Sequence, residues 1–291
     1  MRGCSRALLA GFATAAVVSV STASAQGGAD AETARGIALG TGARASASST
    51  SSLAYGVAGL PLARLYHVEL SAGHLPELRA WFVAAGVVDS VSNRLAAGLG
   101  VRRLFGQQGG VEGWDGRLGL ALPIGDAVAI GVTGRWIDFE CSGQCGDDGA
   151  VRDGADLGSG LTLDASVLVA PARAVRIALL GYNLVDRDTP LAPTRLGGSA
   201  AVLVGESLVV GADVLADVGG PVAWTTGGGV EYLAAGRYPL RVGYAWEQAH
   251  GRHWLTGGAG YVDQHVGVDV GVAYTLEVGA SIHAALRYFA H

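Results

Sequence analysis

His265-Val266-Gly267-Val268-Asp269-Val270-Gly271-Val272-Ala273-Tyr274-Thr275-Leu276 alternates residue by residue. Val266, Val268, Val270 and Val272 fall on one face of an extended chain. Gly267, Asp269, Gly271 and Ala273 fall on the other, the pattern of a strand with one apolar face. Residues 237–247 repeat it, with Leu240, Val242, Tyr244 and Trp246 opposed to Arg241, Gly243, Ala245 and Glu247. Outward from these two, similar segments bounded by Gly, Pro, Asp or Asn recur, and each is close to the roughly ten residues of a tilted strand that crosses a bilayer. They are 65–71, 78–88, 94–104, 114–122, 127–139, 160–169, 174–185, 194–204, 207–216, 222–233, 237–247, 252–262, 265–276 and 280–289. The spacing predicts an all-β fold, an antiparallel transmembrane barrel of about fourteen strands, an even number as single-chain bacterial barrels have.

A β-sandwich would also alternate, but the connections argue for a barrel. The odd-numbered ones include the long ones, 105–113, 140–159 and 186–193, and the even-numbered ones are mostly tight, as at 123–126, 171–173, 205–206 and 263–264. Short turns on one side opposite long loops on the other are a barrel's asymmetry. Composition agrees. The 291 residues are 50% hydrophobic and 15% charged, with 47 Gly and a mean hydropathy of +0.35. Glycine at that density inside apolar segments, as at Gly227-Gly228-Gly229, opposes membrane helices. Tyr66, Trp114, Trp136, Tyr182, Trp224, Tyr232, Tyr238, Trp246, Trp254, Tyr261, Tyr274 and Tyr288 fall mainly near predicted strand ends, where aromatic girdles sit. A net charge of -5 and the lack of a basic cluster exclude a nucleic-acid footprint.

Residues 1–25 read as a cleaved signal peptide, with Arg2 and Arg6 before an apolar run from Ala7 to Val20 and Ala23-Ser24-Ala25 at the cleavage site. The run is shorter than a membrane helix. Residues 26–63, rich in small residues at first, read as a plug or flexible arm, and 64–291 as the barrel. Cys141 and Cys145 would remain after export, and an oxidising compartment favours a loop-stapling disulfide. Asp147, Asp148, Asp153 and Asp156 follow them, but two thiols without a further pair or a nearby His make a poor zinc site. No metal or other cofactor is expected.

The run Ala34-Arg35-Gly36-Ile37-Ala38-Leu39-Gly40, then Ala43-Arg44-Ala45-Ser46 and Tyr55-Gly56-Val57-Ala58-Gly59-Leu60, resembles the start of FadL-type outer-membrane transporters and their PorV-like relatives. That family has an Asn-Pro-Ala-Gly-Leu-like motif before its first strand; here Gly56 and Val57 replace Asn-Pro. Gly181-Tyr182-Asn183-Leu184, Pro193-Thr194-Arg195-Leu196-Gly197, Tyr238-Pro239-Leu240-Arg241-Val242-Gly243-Tyr244 and Leu255-Thr256-Gly257-Gly258 are similar to later family stretches. The resemblance implies a fourteen-stranded barrel with an N-terminal hatch carrying Arg35, Gly40, Arg44, Tyr55, Ala58, Gly59 and Leu60. It further implies capture of hydrophobic compounds from outside and their sideways exit into the bilayer past the hatch. The PorV-like branch implies instead a platform whose outer loops hold a secreted or surface protein, and loop 140–159 suits that role.

No Gly-x-Ser-x-Gly elbow, His-Glu-x-x-His or phosphate loop is present, and the chain contains no lysine. An enzyme is not expected. The strand charges are Arg94, Arg102, Arg117, Arg135, Arg176, Arg241 and Arg287 against Asp115, Asp164, Asp213, Glu231, Glu247 and Asp269. An arginine facing lipid at the midplane costs roughly 2–4 kcal/mol, so these are expected to face the lumen, filling it with ion pairs rather than forming a one-signed ring. Small inward residues, Gly227, Gly229, Gly243, Gly267 and Gly271, leave room for a close-packed hatch or for strand bends. The expected partners are outer-membrane lipid, a small hydrophobic ligand and, on the platform reading, a secreted protein.

Overall fold

The computed structural model describes residues 33–145, 151–187 and 189–290. The signal reading for residues 1–25, the first residues of the expected hatch, Asp147 and Asp148 lie outside them.

Fourteen antiparallel strands close into one barrel. They are β1 (Tyr66–Leu75), β2 (Ala80–Asp89), β3 (Ala96–Gly106), β4 (Gly110–Ile124), β5 (Val128–Ser142), β6 (Asp156–Ala172) and β7 (Val175–Tyr182). Then follow β8 (Arg195–Val204), β9 (Leu208–Asp217), β10 (Ala223–Ala234), β11 (Tyr238–Glu247), β12 (Arg252–Val262), β13 (Val266–Thr275) and β14 (Gly279–Ala290). Closure comes from β1 against β14, with Tyr66 opposite Ala290 and His74 opposite Ile282. An open sheet in lipid would leave a row of unpaired amides and carbonyls, and closure removes that edge.

The odd-numbered connections gather at one end, here termed the loop rim, and the even-numbered ones at the turn rim. Turns at the latter are tight: Gly205 and Gly236 take φ of 61° and 67°, left-handed values that glycine adopts without strain. At the loop rim β4, β5 and β6 run further than their apolar pattern suggests. Glu112 pairs with Glu140 and Phe139 with Gly158, so the expected loops 105–113 and 140–159 are partly ladder. What remains of the longest loop is stapled by a Cys141–Cys145 disulfide.

The outer wall is apolar. Leu70, Leu99, Leu118, Leu161, Leu179, Val242 and Leu255 are each more than half exposed there. Aromatics band both ends of the wall, Tyr66, Tyr232, Tyr238 and Tyr288 toward the turn rim and Trp81, Phe105, Trp224 and Tyr274 toward the loop rim, all exposed. Tyr182 is a correction to the girdle. It is buried and faces inward, because β7 presents Ile177 and Leu179 outward and Ala178 and Leu180 inward, and Tyr182 shares the second parity.

The lumen holds the chain's own N-terminal segment. Residues 33–63 form two short helices, α1 (Ala34–Ala38) and α2 (Ser51–Tyr55), and 3-10 turns at Arg44–Ser46 and Val57–Leu62. Thr33 caps α1 by accepting from the amide of Gly36 at 3.1 Å. This segment has no continuous hydrophobic face long enough for a stable isolated helix, so its shape comes from the wall it packs against.

Candidate functional site

Glycines in the wall let the luminal segment lie backbone against backbone. A Cβ at Gly271 would stand 2.1 Å from the carbonyl oxygen of Ala34, one at Gly229 2.6 Å from that of Leu39, and one at Gly227 1.8 Å from that of Gly40. Gly243 and Gly211 approach Leu39 and Gly42 in the same way. Residues 34–42 thus cross β9 to β13 on a track of glycines, and no side chain larger than hydrogen fits along it. Gly267 is different: its neighbours are Arg287 and Phe289.

Ion pairs fasten the same half of the segment. Arg35 grips Glu231 with two bonds of 3.0 Å, and Glu231 also accepts from Arg241 at 2.6 Å. Arg241 pairs with Asp269, and Asp269 with Arg287, giving a chain of alternating charges around β10 to β14 near the turn rim. Burial disfavours the Arg35 charge, but Glu231 outweighs it and holds the guanidinium pKa above its usual value. Arg44 reaches Asp213 at 3.2 Å and Tyr182 Oη at 3.1 Å, and its guanidinium lies 5.0 Å from the Tyr55 ring centre.

A second cluster lies on the opposite wall. Asp115 receives three arginines: Arg102 at 3.2 Å, Arg117 at 3.2 Å and Arg135 at 2.9 Å. Arg135 also donates to Asn183 Oδ1 at 2.9 Å, and the amide of Asn183 donates to Asp164 at 2.7 Å. Arg117 reaches down to the carbonyl of Leu53 at 3.2 Å, in the middle of α2. Of the remaining expected lumen charges, Glu247 is buried at the loop rim and accepts from His250 at 2.8 Å, and Arg176 is half-buried on the inner parity of β7. Arg94 is not a lumen residue. It is exposed in the connection before β3, because Asp89 accepts from the amides of Val91 and Ser92 and prolongs the turn.

Above this cluster the loop-rim end holds a packed, buried apolar cluster. Leu75, Leu78, Phe82, Leu104, Val111, Ile137 and Phe139 converge just inside the loop rim, and the connection 183–194 folds in to add Leu191 and Ala192. Asn183 makes that inward fold possible at φ 51°, with its side chain donating to the carbonyl of Pro193 at 2.9 Å. Directly below Phe82 a small cavity of about 70 Å3 lies between the wall and the luminal segment. Leu53, Phe82, Ala84 and Gly86 give it apolar sides, and Thr50, Glu69, Ser71, Arg102 and Arg117 a polar end. Glu69 was not among the sequence-derived candidates, though the alternation of His67, Glu69 and Ser71 against Tyr66, Val68 and Leu70 marks it as inward. Thr50 donates to Glu69 at 2.7 Å and lies 3.4 Å from His67 Nδ1. With the hydroxyl between base and acid rather than at the end of the row, this group is not arranged as a nucleophilic relay.

Sequence comparison finds no matching family model and no matching curated protein. Structure comparison finds the fold. The Pseudomonas putida toluene transporter TodX superposes with a TM-score of 0.63 at 12% identity, over 87% of this chain and 96% of that one. The Ralstonia pickettii toluene transporter TbuX gives 0.61 at 14% identity, over 89% and 98%. A Pseudomonas aeruginosa FadL homologue gives 0.59 at 10% identity, over 89% and 97%. The barrel architecture is shared with these proteins.

Proposed function

We propose that the protein is an outer-membrane channel for passive movement of small hydrophobic compounds, with the loop rim outward. The observation that carries this reading is the buried apolar cluster at the loop rim set directly over a lumen cavity, inside a barrel whose outer wall is apolar. A hydrophobic solute that enters this cluster as its side chains part gains about 25 cal/mol per Å2 of its own apolar surface covered, enough to draw it from water without an energy source. TodX and TbuX, which share the barrel architecture, are toluene transporters, and this supports the solute class. Residues 26–63 would serve as the hatch and residues 1–25 as the export signal.

The luminal charges have a separate role in this reading. Both signs are interspersed and paired, so they hold the hatch and narrow the lumen for ions rather than select one sign. The test is uptake of toluene into lipopolysaccharide-containing liposomes. Proteoliposomes are expected to fill several-fold faster than empty ones, and equal rates with correctly folded protein would remove the transport reading.

A further inference from the structure

A second cavity opens at the turn rim, at the opposite end of the barrel from the loop-rim cluster. It holds about 420 Å3, within the roughly 300–1,000 Å3 of small-molecule sites. Its walls are apolar: Ala58 and Leu62 come from the luminal segment, Ala96 from β3, Ala129 from β5 and Leu168 from β6. Inward it ends on a packed layer in which Val57 and Leu60 press against Val88, Ala96 and Ala121. The cavity is therefore an apolar cup, open only toward the turn rim.

Charged groups gather on the edge of this cup, and the connection between β2 and β3 puts them there. Ser90 is buried, and its hydroxyl accepts from the amide of Leu65 at 3.1 Å and donates to the carbonyl of Ala63. That clasp holds Arg64 beside the connection that carries Arg94. Arg94 in turn donates to the carbonyl of Pro123 at 3.3 Å, which keeps its guanidinium on the cavity edge. Both arginines are exposed, and among the described residues neither meets a carboxylate. Asp126 is the single acid among the described lining residues, so the edge carries a net positive charge. A guanidinium presents a planar fork that matches a carboxylate. A neutral hydrocarbon would leave both forks unused, and inorganic phosphate would leave the apolar wall uncovered.

We propose that the turn-rim cavity is a binding site for small organic acids, a carboxylate on a compact apolar body the size of benzoate. Arg64 and Arg94 hold the carboxylate, and Ala58, Leu62, Ala129 and Leu168 cover the body. Because the arginines are exposed, the charged contact weakens as salt rises, and the apolar wall supplies the selectivity among anions. The acid enters from the turn rim without crossing the lumen, so the site stands independently of the transport reading above.

The test follows the fluorine NMR signal of para-fluorobenzoate titrated with the full chain refolded in neutral detergent, beside para-fluorobenzyl alcohol as the uncharged probe. Saturable broadening is expected for the acid, with the alcohol bound several-fold more weakly. Arg64→Gln with Arg94→Gln changes two exposed side chains and is expected to weaken acid binding several-fold while the variant keeps its heat-dependent gel shift. Leu62→Gln makes one wall of the cup polar and is expected to weaken it as well. Wild-type affinity in the folded double arginine variant overturns the site. So does displacement of the acid by inorganic phosphate as effective as by unlabelled benzoate, which would put the anion on the rim arginines without the cup. Broadening that never saturates and grows with detergent is partition into micelles, and it too overturns the site.

Discussion

Asp115 accepts from three arginines while 2% exposed, and among the described residues no other carboxylate pairs with as many. Asp115→Asn keeps the shape and removes the charge that Arg102, Arg117 and Arg135 share, leaving the three to repel one another more strongly. The expected loss is about 3–5 kcal/mol, seen as a lower midpoint in urea unfolding from detergent. Gly227 makes the complementary case in steric terms. Gly227→Val places carbon within the carbonyl of Gly40, so residues 34–42 have to leave the wall, and limited proteolysis is expected to cut near Arg35 or Arg44 where the wild type resists. Not every residue's place was legible from sequence. Parity alone assigns Tyr182 to the lumen, but its position at a strand end suggested the girdle. Arg94 looked like the start of a strand because the Asp89 side-chain turn that displaces it has no periodic signature. The Arg35–Glu231 pair spans 196 positions across the lumen, and nothing in a single sequence sets that distance.

The strands are the most legible elements, since alternation and turn residues recur along each of them, and the ends that moved by three residues or more are those of β1, β4, β5, β6 and β7. The luminal segment is the least legible, because its short helices follow the wall rather than their own propensity. One element at the loop rim makes a prediction about pH. The Pro76–Leu78 turn spans toward β12, where Glu77 accepts from Arg252 at 2.9 Å. Burial and the nearby Glu247 push the Glu77 carboxyl up to about 7, with Arg252 and His250 opposing them. A carboxyl with a folded-state value above its usual 4.5 is penalised when ionised. That penalty is complete above pH 7 and is relieved as pH falls toward 4.5. Wild-type protein is therefore expected to resist heat better at pH 5.5 than at pH 8, by up to about 2 kcal/mol. Glu77→Gln is expected to flatten the difference in a gel-shift melting series, and an equal pH dependence in that variant would mean that Glu77 is not its source.

At the scale of the whole molecule, closure, an apolar exterior and a paired, plugged interior solve one problem: each backbone polar group must be satisfied within the protein. Hydrophobic patterning fixed the strand number and the two rims before any contact was known, whereas the cavities and the charge clusters arise from residues brought together only by closing the barrel. The most direct test of the account is toluene flux. Refolded protein that shows a heat-dependent gel shift is placed in lipopolysaccharide-containing liposomes, and uptake is followed against protein-free liposomes. Uptake several-fold faster, and slowed when bulk is added at Phe82 by Phe82→Trp, is the result expected of a lumen route through the apolar cluster at the loop rim. Folded protein with uptake equal to that of empty liposomes would contradict it.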